Sequence, residues 1–259
     1  MNIGVSTGCY FPQYTIDALK KVAENGAKYT EIFFNTDSEL DEKYVKQLKE
    51  TADKNGIQVI SVHPFTSAIE TFMFWSKSDY KLADSIKYYE KYFKACQTLG
   101  AKCVVIHGCH SAAEYMSMEK YTEILNALSR KAREYGVYIA QENVVKFKCG
   151  YLQNLQKMIQ YADSDIRFVF DLKQAVRAQQ DIYRLIDLMG NRINHLHISD
   201  YNEFGNSLLP GQGEVDFRHL FSYVSEKYGV KTALIEVYNE NITRDYNIEN
   251  ALDFLKTLE

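Results

Sequence analysis

The chain of 259 residues has only three prolines and one tryptophan. It has no run approaching ~20 apolar residues, so no membrane-spanning helix is expected and no membrane partner. Its five cysteines are odd in number and form no C-x-x-C pair, which argues against a disulfide framework and for a reduced, cytoplasmic setting. No basic and apolar leader is seen, so no secretory signal is expected. Dense Lys/Arg runs are missing too, and 34 acidic residues outweigh 30 basic ones for a net charge of −4. That balance is a poor match to a nucleic-acid backbone, and no nucleic-acid partner is expected. The turn after the first apolar run reads STGCYFP, without the G-x-G-x-x-G spacing of a dinucleotide fold. With no linker or low-complexity segment, residues 1–259 read as one domain.

What the chain does have is alternation. β-rich runs are predicted at Ile3–Ser6, Thr30–Phe34, Gln58–His63, Cys103–His107, Tyr138–Glu142, Arg167–Asp171, Asn194–Ser199 and Ala233–Val237. Amphipathic stretches lie between them. In Asp79–Leu99, for example, Leu82, Ile86, Tyr89, Phe93 and Cys96 recur at helical spacing. Asparagine or glycine punctuates the helix ends, as at Asn25-Gly26, Asn55-Gly56 and Gly229. Eight βα units of roughly 30 residues predict an α/β fold, a (β/α)8 TIM barrel. A doubly wound open sheet is the competing architecture.

Four of the predicted strands end in a residue that can bind a metal or move a proton: Glu142, Asp171, His197 and Glu236. Strand side chains alternate faces, so these four point inward at the strand tips, above Ala140, Val169, His195 and Leu234. In a barrel the C-terminal strand ends form the reactive mouth. Three carboxylates in one mouth repel one another unless a cation neutralises them. Helix N-termini and solvent are the alternative partners for such residues. The oxygen-rich set with one imidazole suits Mn2+ or Mg2+ first, with Co2+ or Zn2+ next.

His63 and His107 end the third and fourth strands and are expected to face the mouth as substrate contacts, or as further metal ligands. His195 lies one layer deeper, as packing behind the site. In TFMFWS, Phe72, Phe74 and Trp75 either close a pocket over a substrate, pack under the next helix, or meet a second subunit. Exposed Tyr and Phe residues leave room for a homo-oligomer. The loop LLPGQGEVDF offers backbone N–H groups to an anion, or is a turn that starts a helix at Asp216. Lys146, Lys148 and Lys173 lie near strand tips, within reach of a phosphate.

The segments VIHG, QEN, FDLKQA, HLHISDY, PGQGEVDF and ALIEVY, in this order, resemble the xylose-isomerase-like TIM-barrel superfamily. That group holds sugar and sugar-phosphate isomerases and epimerases and the apurinic-site endonucleases of family 2. The resemblance implies metal ligation by Glu142, Asp171, His197 and Glu236, with Glu142 and Glu236 also the acid/base pair. It implies a sugar or sugar phosphate as partner and gives Gln174 a substrate contact, beside Lys173, Trp75, His63 and His107. A zinc-binding histidine of the endonucleases, three residues after the metal Asp, is Gln174 here. A second, near Ser207, has no counterpart. An arginine of some ketose epimerases is Glu203 here. The reading is thus a metal-dependent sugar isomerase or epimerase acting through an enediolate. A related dehydratase of an inosose-type substrate, an apurinic-site endonuclease and a non-catalytic sugar-binding barrel are its rivals.

Overall fold

The computed structural model describes residues 1–78 and 80–258. Its strands are β1 (Asn2–Ser6), β2 (Tyr29–Phe33), β3 (Gln58–His63), β4 (Cys103–Ile106), β5 (Tyr138–Glu142), β6 (Arg167–Asp171), β7 (Ile193–Ile198), β8 (Asp200–Asn202), β9 (Gly205–Leu208) and β10 (Thr232–Ile235). Its helices are α1 (Thr15–Glu24), α2 (Glu42–Lys54), α3 (Glu70–Met73), α4 (Tyr80–Leu99), α5 (Met118–Arg133), α6 (Leu152–Tyr161), α7 (Leu172–Arg177), α8 (Ile182–Met189), α9 (Phe217–Tyr228) and α10 (Ile248–Lys256).

Eight strands pair in parallel and close in the order β1-β10-β7-β6-β5-β4-β3-β2. The expected TIM barrel is therefore the fold, and the open sheet is excluded. β8 and β9 are an antiparallel hairpin above the barrel, where the sequence had shown only a loop. The helix expected over Asp79–Leu99 is α4. The expected first residue of the fourth helix, Asp79, lies outside the described residues.

The register explains the site. Glu142 pairs with Val169, and Asp171 with His197, so the tips of β5, β6 and β7 rise in steps. Cys103, Val105, Ala140 and Val169 form a small cluster of their own inside the barrel. Most of the remaining buried hydrophobics form one large separate cluster. On β4, β5 and β6 the inward face thus runs from an apolar floor to a polar tip, whereas Glu31, Ser61 and His195 make the layer beneath the tips polar on β2, β3 and β7. Glu236 and His107 lie one residue beyond their strands. The Glu236 N–H still donates to the Ile198 carbonyl at 3.0 Å, which holds it in line with β7.

Candidate active site

His197 stands at the centre of the mouth. Its Nδ1 lies 3.3 Å from Glu236 Oε2, 3.4 Å from Glu142 Oε1 and 3.9 Å from Asp171 Oδ2. One donor atom from each of Glu142, Asp171, His197 and Glu236 falls within 4.8 Å of the others. The four residues that the sequence singled out are brought together.

Their hydrogen bonds say what is missing. Asp171 Oδ1 caps α7 by accepting the Gln174 N–H at 2.7 Å. Among the described residues Asp171 Oδ2 is buried and accepts no hydrogen bond, while Glu142 Oε2 is buried with the His107 and His63 Nε2 atoms at 3.0 and 3.6 Å. A buried polar atom without a partner carries a desolvation cost of about 1–3 kcal/mol. A hard cation held by carboxylate oxygens and one imidazole answers the unpaired Asp171 oxygen, so the donor set fits a divalent metal.

The electrostatics agree. Burial pushes the Asp171 carboxyl well above its usual range; Lys173 opposes this, and Glu142 and Glu236 add to it. Burial works against charge on His197, yet Glu236 and Glu31 hold its imidazole well above its ordinary value. Glu142 is also buried, but His107, His197 and His63 pull it well below the carboxylate range. Burial would raise Glu236 as well, but Lys173 and His197 lower it. The mouth gathers protons where it has too many negative charges.

Lys173 adds a fixed cation. Its buried Nζ lies 3.0 Å from Glu236 Oε2 and 3.5 Å from Asp171 Oδ2. Against the pull of burial, Asp171, Glu236 and Glu142 raise its already high pKa further. A cavity of 240 Å³ opens beside it, lined by Gly8, Phe11, Phe33, Lys173, Glu236, Val237 and Tyr238. Lys173 therefore lines this cavity. Arg177 lies outside it, bonding Asn206 and the Tyr238 hydroxyl.

His107 Nε2 is 3.0 Å from Glu142 Oε2, and its side chain is 20% exposed at the mouth. His63 is buried beside it, with Nε2 at 3.2 Å from His107 Nε2 and 3.6 Å from Glu142 Oε2. His63 contacts Glu142 and the Phe33 ring rather than open space. Burial lowers its pKa, but Glu142 and Glu31 outweigh that and bring it up to about 9. The Gln174 side-chain oxygen accepts the Val145 N–H at 3.2 Å, tying the loop after β5 to α7.

Trp75 requires a correction. It is fully buried, stacked on Tyr121 with ring centroids 4.8 Å apart, and its Nε1 donates to the Tyr121 carbonyl. It packs α5 to the segment after α3 and touches no substrate space. Phe74 is buried against Tyr89, and of the three aromatics only Phe72 is exposed.

Sequence reasoning missed three acids. Glu31, on the inward face of β2, is buried beside His195 and His197. Glu70 of α3 accepts the His107 and Gly108 N–H groups and the Tyr89 hydroxyl. Asp200 accepts four backbone N–H groups, from Tyr201, Gly211, Gly213 and Val215. The glycine loop does embrace an anion, but that anion is the protein's own. The only sequence signal for Glu31 was an acid at inward parity in the apolar run YTEIFF.

The sequence pattern of a known family, described as a xylose isomerase-like TIM barrel, matches residues 19–258. The chain belongs to that family. An uncharacterized protein of Methanocaldococcus jannaschii is 24% identical over 255 residues, which cover 93% of this chain and 85% of that protein. The D-psicose 3-epimerase of Clostridium cellulolyticum H10, solved with D-tagatose, superposes with a TM-score of 0.81 at 17% identity, covering 100% of this chain and 99% of that one. The IOLI protein with a bound zinc atom gives 0.77 at 19% identity, covering 100% and 96%. At these identities, the two solved structures confirm the barrel of this xylose isomerase-like chain, and its chemistry rests on its own residues.

Proposed function

We propose that the protein is a divalent-metal-dependent isomerase or epimerase of a sugar or sugar phosphate. The observation that carries this reading is the convergence of three carboxylates on His197 Nδ1, with Asp171 Oδ2 buried and without a hydrogen bond among the described residues. Glu142, Asp171, His197 and Glu236 would hold the cation. Mn2+ or Mg2+ suits the oxygen-rich set best. Bound there, the metal would supply Lewis acidity to a carbonyl oxygen and a neighbouring hydroxyl. The charges also close: three carboxylates, one Lys173 ammonium and one divalent ion sum to zero. Similarity to an epimerase solved with a ketose, and to a zinc-binding barrel, supports the same reading.

The chain's own residues do the proton work. Glu236, 16% exposed on the cavity, is held ionised by Lys173 and His197. It accepts the proton on the carbon beside the carbonyl, and the C–H electron pair forms the enediolate double bond. Glu142 lies across His197 with His107 at 3.0 Å as a proton partner. A proton returned to the opposite face gives an epimer, and one returned to the neighbouring carbon gives an isomer. Lys173 presents an ammonium to a substrate oxygen, and the Phe11, Phe33 and Tyr238 rings face its C–H surface.

Incubation with Mn2+ and a panel of free and phosphorylated ketoses and inososes in heavy water tests this, read by NMR. One compound should take up deuterium at a single carbon and yield an epimer or isomer. A dehydrated product instead would assign the dehydratase reading. Glu236→Gln should lose on the order of 10²–10⁴-fold in exchange while staying folded. Wild-type exchange in that variant would reject the mechanism.

A further inference from the structure

Below the proposed metal ligands lies a second polar group that the proton chemistry does not use. Glu31 projects from β2 into the barrel and is completely buried. Its Oε2 lies 2.7 Å from Ser61 Oγ, 3.3 Å from His197 Nε2 and 3.6 Å from His195 Nε2. Its Oε1 accepts from Ser6 Oγ at 3.3 Å. Two hydroxyls and two imidazoles thus converge on one carboxylate from β1, β3 and β7.

We infer that Glu31 is a positioning residue that fixes the tautomer and orientation of His197 and thereby sets the affinity of the site for its cation. The inference rests on the metal reading of the four strand-tip residues. A carboxylate only accepts, so the Nε2 facing it carries the hydrogen. A neutral imidazole protonated at Nε2 presents its lone pair at Nδ1, the atom that faces Glu142, Asp171 and Glu236. His195 makes the demand sharper. The Asn194 amide donates to His195 Nδ1 at 2.9 Å, which leaves the His195 hydrogen on Nε2. The two Nε2 atoms are 3.2 Å apart, so two N–H groups meet head on. A shared acceptor between them resolves that conflict, and Glu31 Oε2 occupies that place. A glutamine there has one acceptor oxygen, no charge, and an amide that can donate to His197 Nε2 and push its hydrogen onto Nδ1. Outer partners of this kind typically change metal affinity 10–100-fold.

The test is Mn2+ titration of the chelator-treated protein by electron paramagnetic resonance, with the metal-free unfolding midpoint measured alongside. Glu31→Gln should raise the Mn2+ dissociation constant 10–100-fold, with a cooperative metal-free transition showing that the variant is folded. In the Zn2+-loaded protein, the His197 Nε2–H resonance should lie far downfield in the wild type and move upfield in the variant. Wild-type affinity and an unmoved resonance in a folded Glu31→Gln variant would overturn the inference and leave the metal site standing. A wild-type protein that binds no Mn2+ would overturn both. Should Glu31→Gln fail to fold, Ser61→Ala decides: a few-fold weaker Mn2+ binding supports the inference, and unchanged binding rejects it.

Discussion

The two oxygens of Asp171 are held differently. One caps α7 and the other is buried without a hydrogen bond. The unpaired oxygen lies in a field that favours a proton on Asp171 and on His197. A cation must displace those protons, so its binding is linked to pH. Mn2+ binding near pH 7 should release protons, and affinity should fall about tenfold per pH unit for each proton displaced as pH drops. Calorimetry in buffers of different ionisation enthalpy reads this directly. A binding enthalpy that does not change with buffer would contradict it. At this scale the sequence was informative for one reason. Period-two alternation places any polar residue at a strand tip, so Glu142, Asp171, His197 and Glu236 could be read without a structure. Trp75 could not, because its fate depends on Tyr121, 46 positions away.

At the scale of elements, two acids hold the loops that frame the mouth. Asp200 gathers four N–H groups and so shapes the loop into α9, whose first turn is capped by Asp216 as the sequence suggested. A Cβ on Gly213 would collide with the Tyr201 carbonyl and the Asp200 carboxylate. Asp200→Ala leaves those donors unpaired and should cost on the order of 3 kcal/mol or more, seen as a lower denaturant midpoint. Gly213→Ala should lower it as well. Glu70 clamps the start of the loop after β4. Burial raises its carboxyl to about 7, against the pull of His107 and the Gly108 N–H. Its native value thus lies above the ordinary carboxyl value of 4.5. The protonated form favours the fold, and that stability is present below 4.5 and lost as pH rises through about 7. Between pH 4.5 and 7.5, Glu70→Gln should remove on the order of 2–3 kcal/mol of this decline from the metal-free protein, by denaturation at several pH values. Equal pH slopes in the two proteins would refute it. Neither clamp was visible beforehand. α3 and α7 are four and six residues long, too short for a 3.6-residue period to show, and β8 and β9 carry little apolar pattern.

For the whole molecule, barrel closure turns eight separate strand tips into one site. Residues from β2 to β10, about 200 positions apart, then face one another across the mouth. The alternation of strands and helices was legible because each unit carries its own periodicity. The interior was less so, because parity says which residues point inward but not which of them meet. His195 was expected as packing behind the site, and it is buried there; that it shares Glu31 with His197 follows only from the closed barrel. Since the proposed ligands come from four different strands, a cation binds the folded chain and not the unfolded one. At 100 times its dissociation constant it should add about 2.7 kcal/mol of stability, a rise of roughly 5–10 °C in Tm. That rise should vanish in Asp171→Asn.

Glu142, Asp171, His197 and Glu236 are proposed to form one divalent-metal site. Metal-free protein titrated with Mn2+, with stoichiometry read by electron paramagnetic resonance, tests it most directly. One tightly bound ion per chain is expected, lost in Asp171→Asn and in Glu142→Gln. No bound ion, three ions per chain, or full binding in both variants would contradict it.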